Sequence, residues 1–236
     1  MSTSATDFDE PTRPPAIWVP VVLLSFGAGA ADAFAFLLLG GIFTANMTGN
    51  LVLIGLIERE HYLRVLVGAG TALVVFVGSA SIALWFTRAT TATVQRRSLT
   101  LLAVGAAAQI AIVVVWSMAH RDAGGSMVVG LIGLSALAMA AQTVVARRTK
   151  ASGALTTTFV TGTIVSLLDD VGRGHRGGAM TRFASVAALV FGAVAVSIVS
   201  SSVPVAAPII PASAGFAAYV VSLNNCLRFG VGKPRG

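Results

Sequence analysis

Charged residues are scarce in this chain: Asp, Glu, Lys and Arg make up 11% of its 236 residues, whereas 56% are hydrophobic. A soluble globular domain carries about 25% charged residues. The composition therefore excludes an ordinary soluble domain and indicates an integral membrane protein. The formal net charge is +7, but the basic residues separate apolar runs and few aromatic residues lie among them. This pattern is typical of a membrane topology signal and argues against nucleic-acid binding.

Cysteines and metal-ligand patterns are also nearly absent. The single cysteine, Cys226, lies in the last apolar run, which rules out an intramolecular disulfide and a multi-cysteine metal site. The histidines, His61, His120 and His175, lie in loops or at span ends without metal-ligand spacing. There is no nucleophile elbow, phosphate-binding loop or dinucleotide fingerprint. We therefore expect neither an enzyme nor a bound cofactor.

Eight apolar runs make up most of the chain. They lie at about 17–41, 44–57, 63–87, 98–119, 126–146, 154–168, 180–203 and 206–227. Six of them provide the roughly 20 residues that a helix needs to cross the hydrocarbon core. The second and sixth runs would reach only about 20 Å as helices. These two runs either cross a thin bilayer or enter and leave it on the same side.

The basic residues help to decide between six and eight crossings, because they concentrate on the cytoplasmic side of a membrane. With six crossings, 13 of the 16 basic residues fall on one side, and only Arg59, Arg64 and Arg121 fall on the other. With eight crossings the division becomes 10 to 6. The sharper division favours six crossings, two re-entrant half-helices and cytoplasmic termini.

The two halves of the chain align around a Thr-Gly pair. Thr-Gly-Asn-Leu-Val at 48–52 corresponds to Thr-Gly-Thr-Ile-Val at 161–165. The span before each pair carries one polar residue among small ones, Asp32 in the first half and Gln142 in the second. Three crossings per half would invert the second half relative to the first, as in many secondary transporters. Chance similarity between apolar helices is the alternative.

The predicted fold is therefore an all-α polytopic membrane protein with about six transmembrane helices, two short re-entrant half-helices and an inverted internal repeat. A single transmembrane domain would cover 17–229, with repeat halves at about 17–119 and 126–227. Residues 1–16 are polar and contain proline, and we expect a disordered cytoplasmic tail there. Residues 230–236 would form a short basic cytoplasmic tail.

The first Thr-Gly motif resembles the signature of a known family. Asp-Ala-Phe at 32–34 is followed by Gly-Gly-Ile-Phe-Thr-Ala-Asn-Met-Thr-Gly-Asn at 40–50. Ala-Gln at 141–142 and Thr-Gly-Thr at 161–163 match a looser second motif. On these residues the chain is similar, from about 19 to 230, to the YoaK-type family of bacterial multi-pass inner-membrane proteins. The resemblance implies a membrane fold and an inner-membrane location. It implies no substrate, because the family has no assigned function.

Asp32 is a carboxylate in the middle of the first long span. A charge at the centre of the bilayer costs roughly 3 kcal/mol, and no basic residue lies at comparable depth. We therefore expect Asp32 either to couple a proton or another cation to transport, or to have a structural role as a protonated Asp or as a cap that accepts the N–H groups of the short helix at 44–57. The two roles are compatible.

The short helices explain their own polar residues, because a helix that begins inside the membrane leaves its first N–H groups without partners. Asparagine and threonine side chains can satisfy some of these groups, and we expect the two helix starts to meet near the midplane. The alternative is that each Thr-Gly pair only allows close packing. The predicted substrate or proton site comprises Asp32, Asn46, Thr48, Gly49, Asn50, Gln142, Thr161, Gly162 and Thr163. Other intramembrane polar residues, such as Gln109, are expected to form interhelical hydrogen bonds.

The functional hypothesis is a small-solute secondary transporter or channel of the inner membrane, proton-coupled through Asp32. The alternative is a non-transporting scaffold or accessory subunit that assembles through its glycine-rich helix faces, for example as a homo-oligomer. The expected partners are the lipid bilayer and a small solute, without nucleic acid.

Overall fold

The computed structural model describes residues 18–88, 91–119, 124–148 and 160–229. The two predicted tails, at 1–16 and 230–236, lie outside these residues, as does the beginning of the sixth apolar run. The helices are α1 (Trp18–Leu38), α2 (Met47–Gly55), α3 (Tyr62–Phe86), α4 (Thr91–Ala119), α5 (Gly125–Arg148), α6 (Val160–Gly172), α7 (Arg176–Ser202) and α8 (Ile209–Phe229), with a 3-10 turn at Pro204–Ala206 before α8.

Six helical segments are long and apolar enough to cross a membrane: α1, α3, α4, α5, α7, and α8 together with its preceding turn. By contrast, α2 has 9 residues and α6 has 13. At 1.5 Å per residue they extend about 14 and 20 Å, less than the roughly 30 Å of hydrocarbon. The prediction of an all-α polytopic membrane protein is confirmed.

The helices α1 and α5 form the centre of the bundle. More than half of the residues in their apolar windows are buried, 56% and 61%, whereas the fraction is 22% in α3 and in α7. Small side chains allow this burial, since α1 buries the unbroken run Gly-Ala-Gly-Ala-Ala at 27–31. The large apolar side chains that α3 and α7 expose are suited to lipid.

The helix interfaces follow the internal repeat. Helix α1 packs against α7 and α8, the third and fourth helices of the second half, and α5 packs against α3 and α4 of the first half. Helix α2 packs on α3 as α6 packs on α7. Each interface therefore has a counterpart in the other half: α1 with α7 corresponds to α5 with α3, α1 with α8 to α5 with α4, and α2 with α3 to α6 with α7. The repeat therefore extends from the sequence to the packing, and each half contributes its first helix to the other.

A contact between two rings shows that α2 does not cross the membrane. Phe34 packs edge-on against Trp116 with 5.3 Å between ring centroids, so α1 and α4 finish at the same end of the bundle. Helix α3 begins at that end, because it runs to the opposite end before the chain enters α4. The chain thus leaves α1 and enters α3 at one end. Consistently, the Arg59 guanidinium, after α2, lies beside Gly41, just after α1.

Two hydrogen bonds lead to the same conclusion for α6. The Arg148 guanidinium, at the end of α5, donates to the Leu84 carbonyl at 3.2 Å, which places the ends of α5 and α3 together. The Trp116 indole donates to the Pro204 carbonyl at 3.0 Å, which places the end of α7 at the opposite end of the bundle. Helix α7 therefore begins where α5 finishes, and α6 does not cross. The contacts agree with six crossings and an inverted second half.

Candidate functional site

The chain reverses direction immediately after α1 and returns to the depth of Asp32. Gly40 and Gly41 have φ values of +104° and +76°, in the left-handed region that glycine adopts without steric cost. Ile42 and Thr44 are then fully buried. This reversal places the start of α2 beside the middle of α1. We call residues 39–55 the re-entrant segment.

Asp32 binds the backbone of the re-entrant segment. Its Oδ1 accepts the N–H groups of Thr44 and Ala45, both at 2.7 Å. Consecutive N–H groups at a helix start favour a negative charge. None of the ion pairs within the described residues involves Asp32. The capping arrangement considered for Asp32 is therefore present in the structure.

Two asparagines hold the re-entrant segment in shape. The Asn46 side chain is the N-cap of α2 and accepts the Gly49 N–H at 3.1 Å. Asn50 is fully buried, its Oδ1 accepts the Phe43 N–H at 2.9 Å, and its Nδ2 donates to the Phe43 carbonyl at 2.6 Å. Asn50 thus satisfies both backbone groups of Phe43, in a segment that lies beside the middle of the membrane-spanning helix α1.

In the Thr-Gly pair of the first motif, the glycine has a packing role. Gly49 lies against the Phe43 ring, and a Cβ at this position would be 2.7 Å from the ring Cδ2. Thr48 is exposed. The structure therefore brings together Asp32, Asn46, Gly49 and Asn50 around the start of α2, with Thr48 on the outer face.

The predicted residues of the second half are distributed differently. Thr161 and Gly162 are exposed and Thr163 is buried. Gln142 is buried in α5, where its Nε2 donates to the Met139 sulfur at 2.9 Å. The main neighbour of α6 is α7 and that of α2 is α3. A single site formed by both helix starts stays a prediction.

The structure shows the surroundings of two further polar residues, which the sequence could not predict. The Ser135 hydroxyl donates to the Thr44 hydroxyl oxygen at 3.0 Å and ties the middle of α5 to the re-entrant segment. Gln109, which we expected to bond between helices, is buried, and within the described residues nothing accepts from its Nε2. Both residues are isolated polar positions in apolar runs, and only the three-dimensional packing distinguishes them from their neighbours.

The part of the chain that the structure describes contains no candidate metal site. No three His, Cys, Asp or Glu residues there are grouped closely enough to hold a metal ion. The acidic group at the site is the Asp32 carboxylate, whose hydrogen-bond partners, the N–H groups of Thr44 and Ala45, belong to the backbone.

Comparisons with known proteins agree with the membrane fold. Residues 21–222 match the family model DUF1275, which is described as a protein of unknown function. A relative, the UPF0700 transmembrane protein YoaK of Bacillus subtilis (strain 168), is 32% identical over 159 residues, which are 63% of this chain and 64% of the relative. The chain thus matches slightly less than two thirds of that relative's length. No solved structure matches the chain.

These matches confirm the resemblance predicted from the Asn-Met-Thr-Gly-Asn motif. They are also consistent with a bacterial inner membrane, since the relative is a bacterial transmembrane protein. The chain is a multi-pass membrane protein that belongs to the DUF1275 family and is similar to YoaK.

Proposed function

We propose that this protein is a small-solute transporter of the bacterial inner membrane, in which proton uptake by Asp32 is coupled to movement of the re-entrant segment. The observation that carries the proposal is the bonding of Asp32. Its carboxylate lies in a transmembrane helix and is held by backbone N–H groups of the re-entrant segment. Ionisable residues inside the membrane commonly mark proton or solute pathways.

Protonation of Asp32 would loosen the re-entrant segment. A hydrogen bond to a charged group contributes about 1.5–3 kcal/mol, against about 0.5–1.5 kcal/mol for a neutral one. Neutralising the carboxylate therefore weakens the bonds to Thr44 and Ala45 together. Within the segment, α2 is the part suited to move, because it is 9 residues long and rests mainly on α3, whereas Ile42 and Thr44 are fully buried.

The proposed orientation follows from the arginines. Arg97 donates to the Phe86 carbonyl and Arg148 to the Leu84 carbonyl, so both lie where α3 finishes. The end of the bundle that is rich in arginine faces the cytoplasm in bacterial inner-membrane proteins. Both termini then lie in the cytoplasm, and the re-entrant segment enters the membrane from the opposite side. No enzymatic step forms part of the proposal.

Asp32→Asn tests the coupling, because asparagine keeps an oxygen that accepts N–H groups but exchanges no proton. Wild-type and variant proteins are reconstituted into liposomes that contain a pH-sensitive dye. Amino acids and sugars, which cross a bare bilayer slowly, are then added outside one at a time. We expect at least one solute to change the internal pH with the wild type. With Asp32→Asn we expect the rate to fall at least tenfold, although the protein folds.

Asp169→Asn is the matched control, since Asp169 is an exposed carboxylate that pairs with Arg173 outside the spans and should leave the rate unchanged. Wild-type rates in Asp32→Asn would exclude coupling through this residue. If no solute changes the internal pH and Asp32→Asn alters only assembly or stability, the scaffold function is the correct one.

A further inference from the structure

Three arginines lie around the last turn of α3. Arg97, from α4, donates to the Phe86 carbonyl, and its guanidinium carbon lies 5.0 Å from the centroid of the Phe86 ring. Arg148, from α5, donates to the Leu84 carbonyl at 3.2 Å. Arg88 follows α3 directly in the chain and is exposed. We call Arg88, Arg97 and Arg148 the arginine cluster.

The protein balances only part of the positive charge of the arginine cluster. None of the ion pairs in the described part of the chain includes a cluster arginine. The two carboxylates at the same end of the bundle, where α6 finishes, pair with other arginines, Asp169 with Arg173 and Asp170 with Arg182. The ends of α3 and α5 supply only about half a negative charge each. Capping of these helix ends therefore leaves a surplus of positive charge, which favours an anion.

Hydrogen bonds hold two guanidinium groups of the cluster in place. Arg97 and Arg148 are half-buried, so water screens their charges less than those of surface residues. An arginine side chain has five N–H groups. Among the described residues, Arg97 uses one of them in a hydrogen bond and Arg148 uses two, one of these on the Thr87 hydroxyl. Guanidinium groups bind phosphate oxygens in pairs, and groups that are already positioned lose less entropy on binding.

The surface next to the cluster is apolar and suited to the bilayer. Trp85, in the last turn of α3, is 70% exposed, and tryptophan is typical of the headgroup level. Towards the middle of α3, the same face exposes Val74, Val77 and Ile82. A molecule that fits both surfaces has an anionic group at one end and apolar chains at the other. A phospholipid has this shape and chemistry.

We propose that the arginine cluster binds the phosphate of an anionic phospholipid, whose acyl chains lie along the exposed face of α3. The phosphate accepts N–H groups from Arg97 and Arg148, and Arg88 contributes its charge from the exposed side. A zwitterionic lipid fits less well, because its headgroup also carries a positive charge. The bound lipid joins α3, α4 and α5, since the three arginines come from these helices or follow them. The site does not depend on the proposed transport function.

Native mass spectrometry of the full chain in detergent tests this site. Phosphatidylglycerol and phosphatidylcholine with identical acyl chains are titrated separately, and the bound fractions give the dissociation constant of the first lipid. We expect this constant to be at least fivefold lower for phosphatidylglycerol. Arg97→Gln and Arg88→Gln should each raise it at least threefold for phosphatidylglycerol and leave it unchanged for phosphatidylcholine. Equal constants for the two lipids in the wild type would overturn the proposal.

Arg173→Gln is the matched control, because it removes one positive charge at the same end of the bundle from an arginine that pairs with Asp169. Phosphatidylglycerol should bind to this variant as it does to the wild type. If Arg173→Gln weakens binding as much as Arg97→Gln does, the attraction is diffuse and the cluster is not a site. The melting temperature shows whether Arg97→Gln folds. If it does not, Arg88→Gln, at an exposed position, decides in its place.

Glycerol 3-phosphate distinguishes a lipid from a soluble phosphate, since it carries a phosphate group without acyl chains. In roughly hundredfold excess it should leave phosphatidylglycerol bound, because the apolar face of α3 retains the acyl chains. Displacement of the lipid would show that the cluster binds soluble phosphates and that the apolar face takes no part, which would refute the lipid site.

Discussion

At the scale of single residues, the asparagine side chains of the motif from Phe43 to Asn50 form hydrogen bonds to backbone groups of the same motif. The sequence predicted that asparagines would satisfy the start of a buried helix, and Asn46 does so through the Gly49 N–H. It could not predict that Asn50 binds Phe43, seven residues earlier. That pairing depends on the chain reversal at the two preceding glycines. The direction of the reversal follows from their backbone angles and cannot be predicted from local propensity.

Asn50→Ala should destabilise the protein by about 2–4 kcal/mol, because it leaves the N–H and the carbonyl of Phe43 unpaired in a buried position. Asn46→Ala removes an exposed N-cap and should cost only about 1 kcal/mol. Unfolding in mixed micelles with increasing denaturing detergent measures both values. An Asn50→Ala protein as stable as Asn46→Ala would mean that Phe43 finds other partners.

At the scale of helices, the bundle depends on one very close crossing between α1 and α7. A Cβ at Gly29 would overlap the Leu189 carbonyl, and a Cβ at Gly192 would overlap the Phe26 carbonyl. The sequence indicated in general that glycines mediate helix packing. It could not select these two among 25 glycines, since the selection depends on which helices meet.

Gly29→Ala and Gly192→Ala should each lower the stability by about 1–3 kcal/mol, because a new methyl group forces the two backbones apart. Gly70→Ala is the matched control within α3, where a Cβ would meet nothing within 4 Å. There alanine should be neutral or should stabilise the helix by up to about 1 kcal/mol. Melting temperatures in detergent compare the three variants. If Gly29→Ala melts like Gly70→Ala, the crossing is looser than described.

At the scale of the whole molecule, apolar lengths and basic residues were sufficient to predict six crossings and two short helices. The sequence could not predict that the first helix of each half packs against the other half, because these contacts join residues far apart in the chain. The arginines illustrate the difference. Arg97 and Arg148 were informative only as positive charges, whereas in the structure they bind the last carbonyls of α3.

The proton-coupled mechanism requires that the re-entrant segment enter and leave the membrane on the same side. Cysteine accessibility decides this, with single cysteines at Glu60, Arg88 or His175 in a Cys226→Ala background. All three positions are exposed, after α2, after α3 and before α7 respectively. A membrane-impermeant thiol reagent is applied to intact and to opened cells. We expect positions 88 and 175 to react on one side and position 60 on the other. If positions 60 and 175 react together and position 88 reacts opposite them, the chain crosses eight times and the re-entrant segment does not exist.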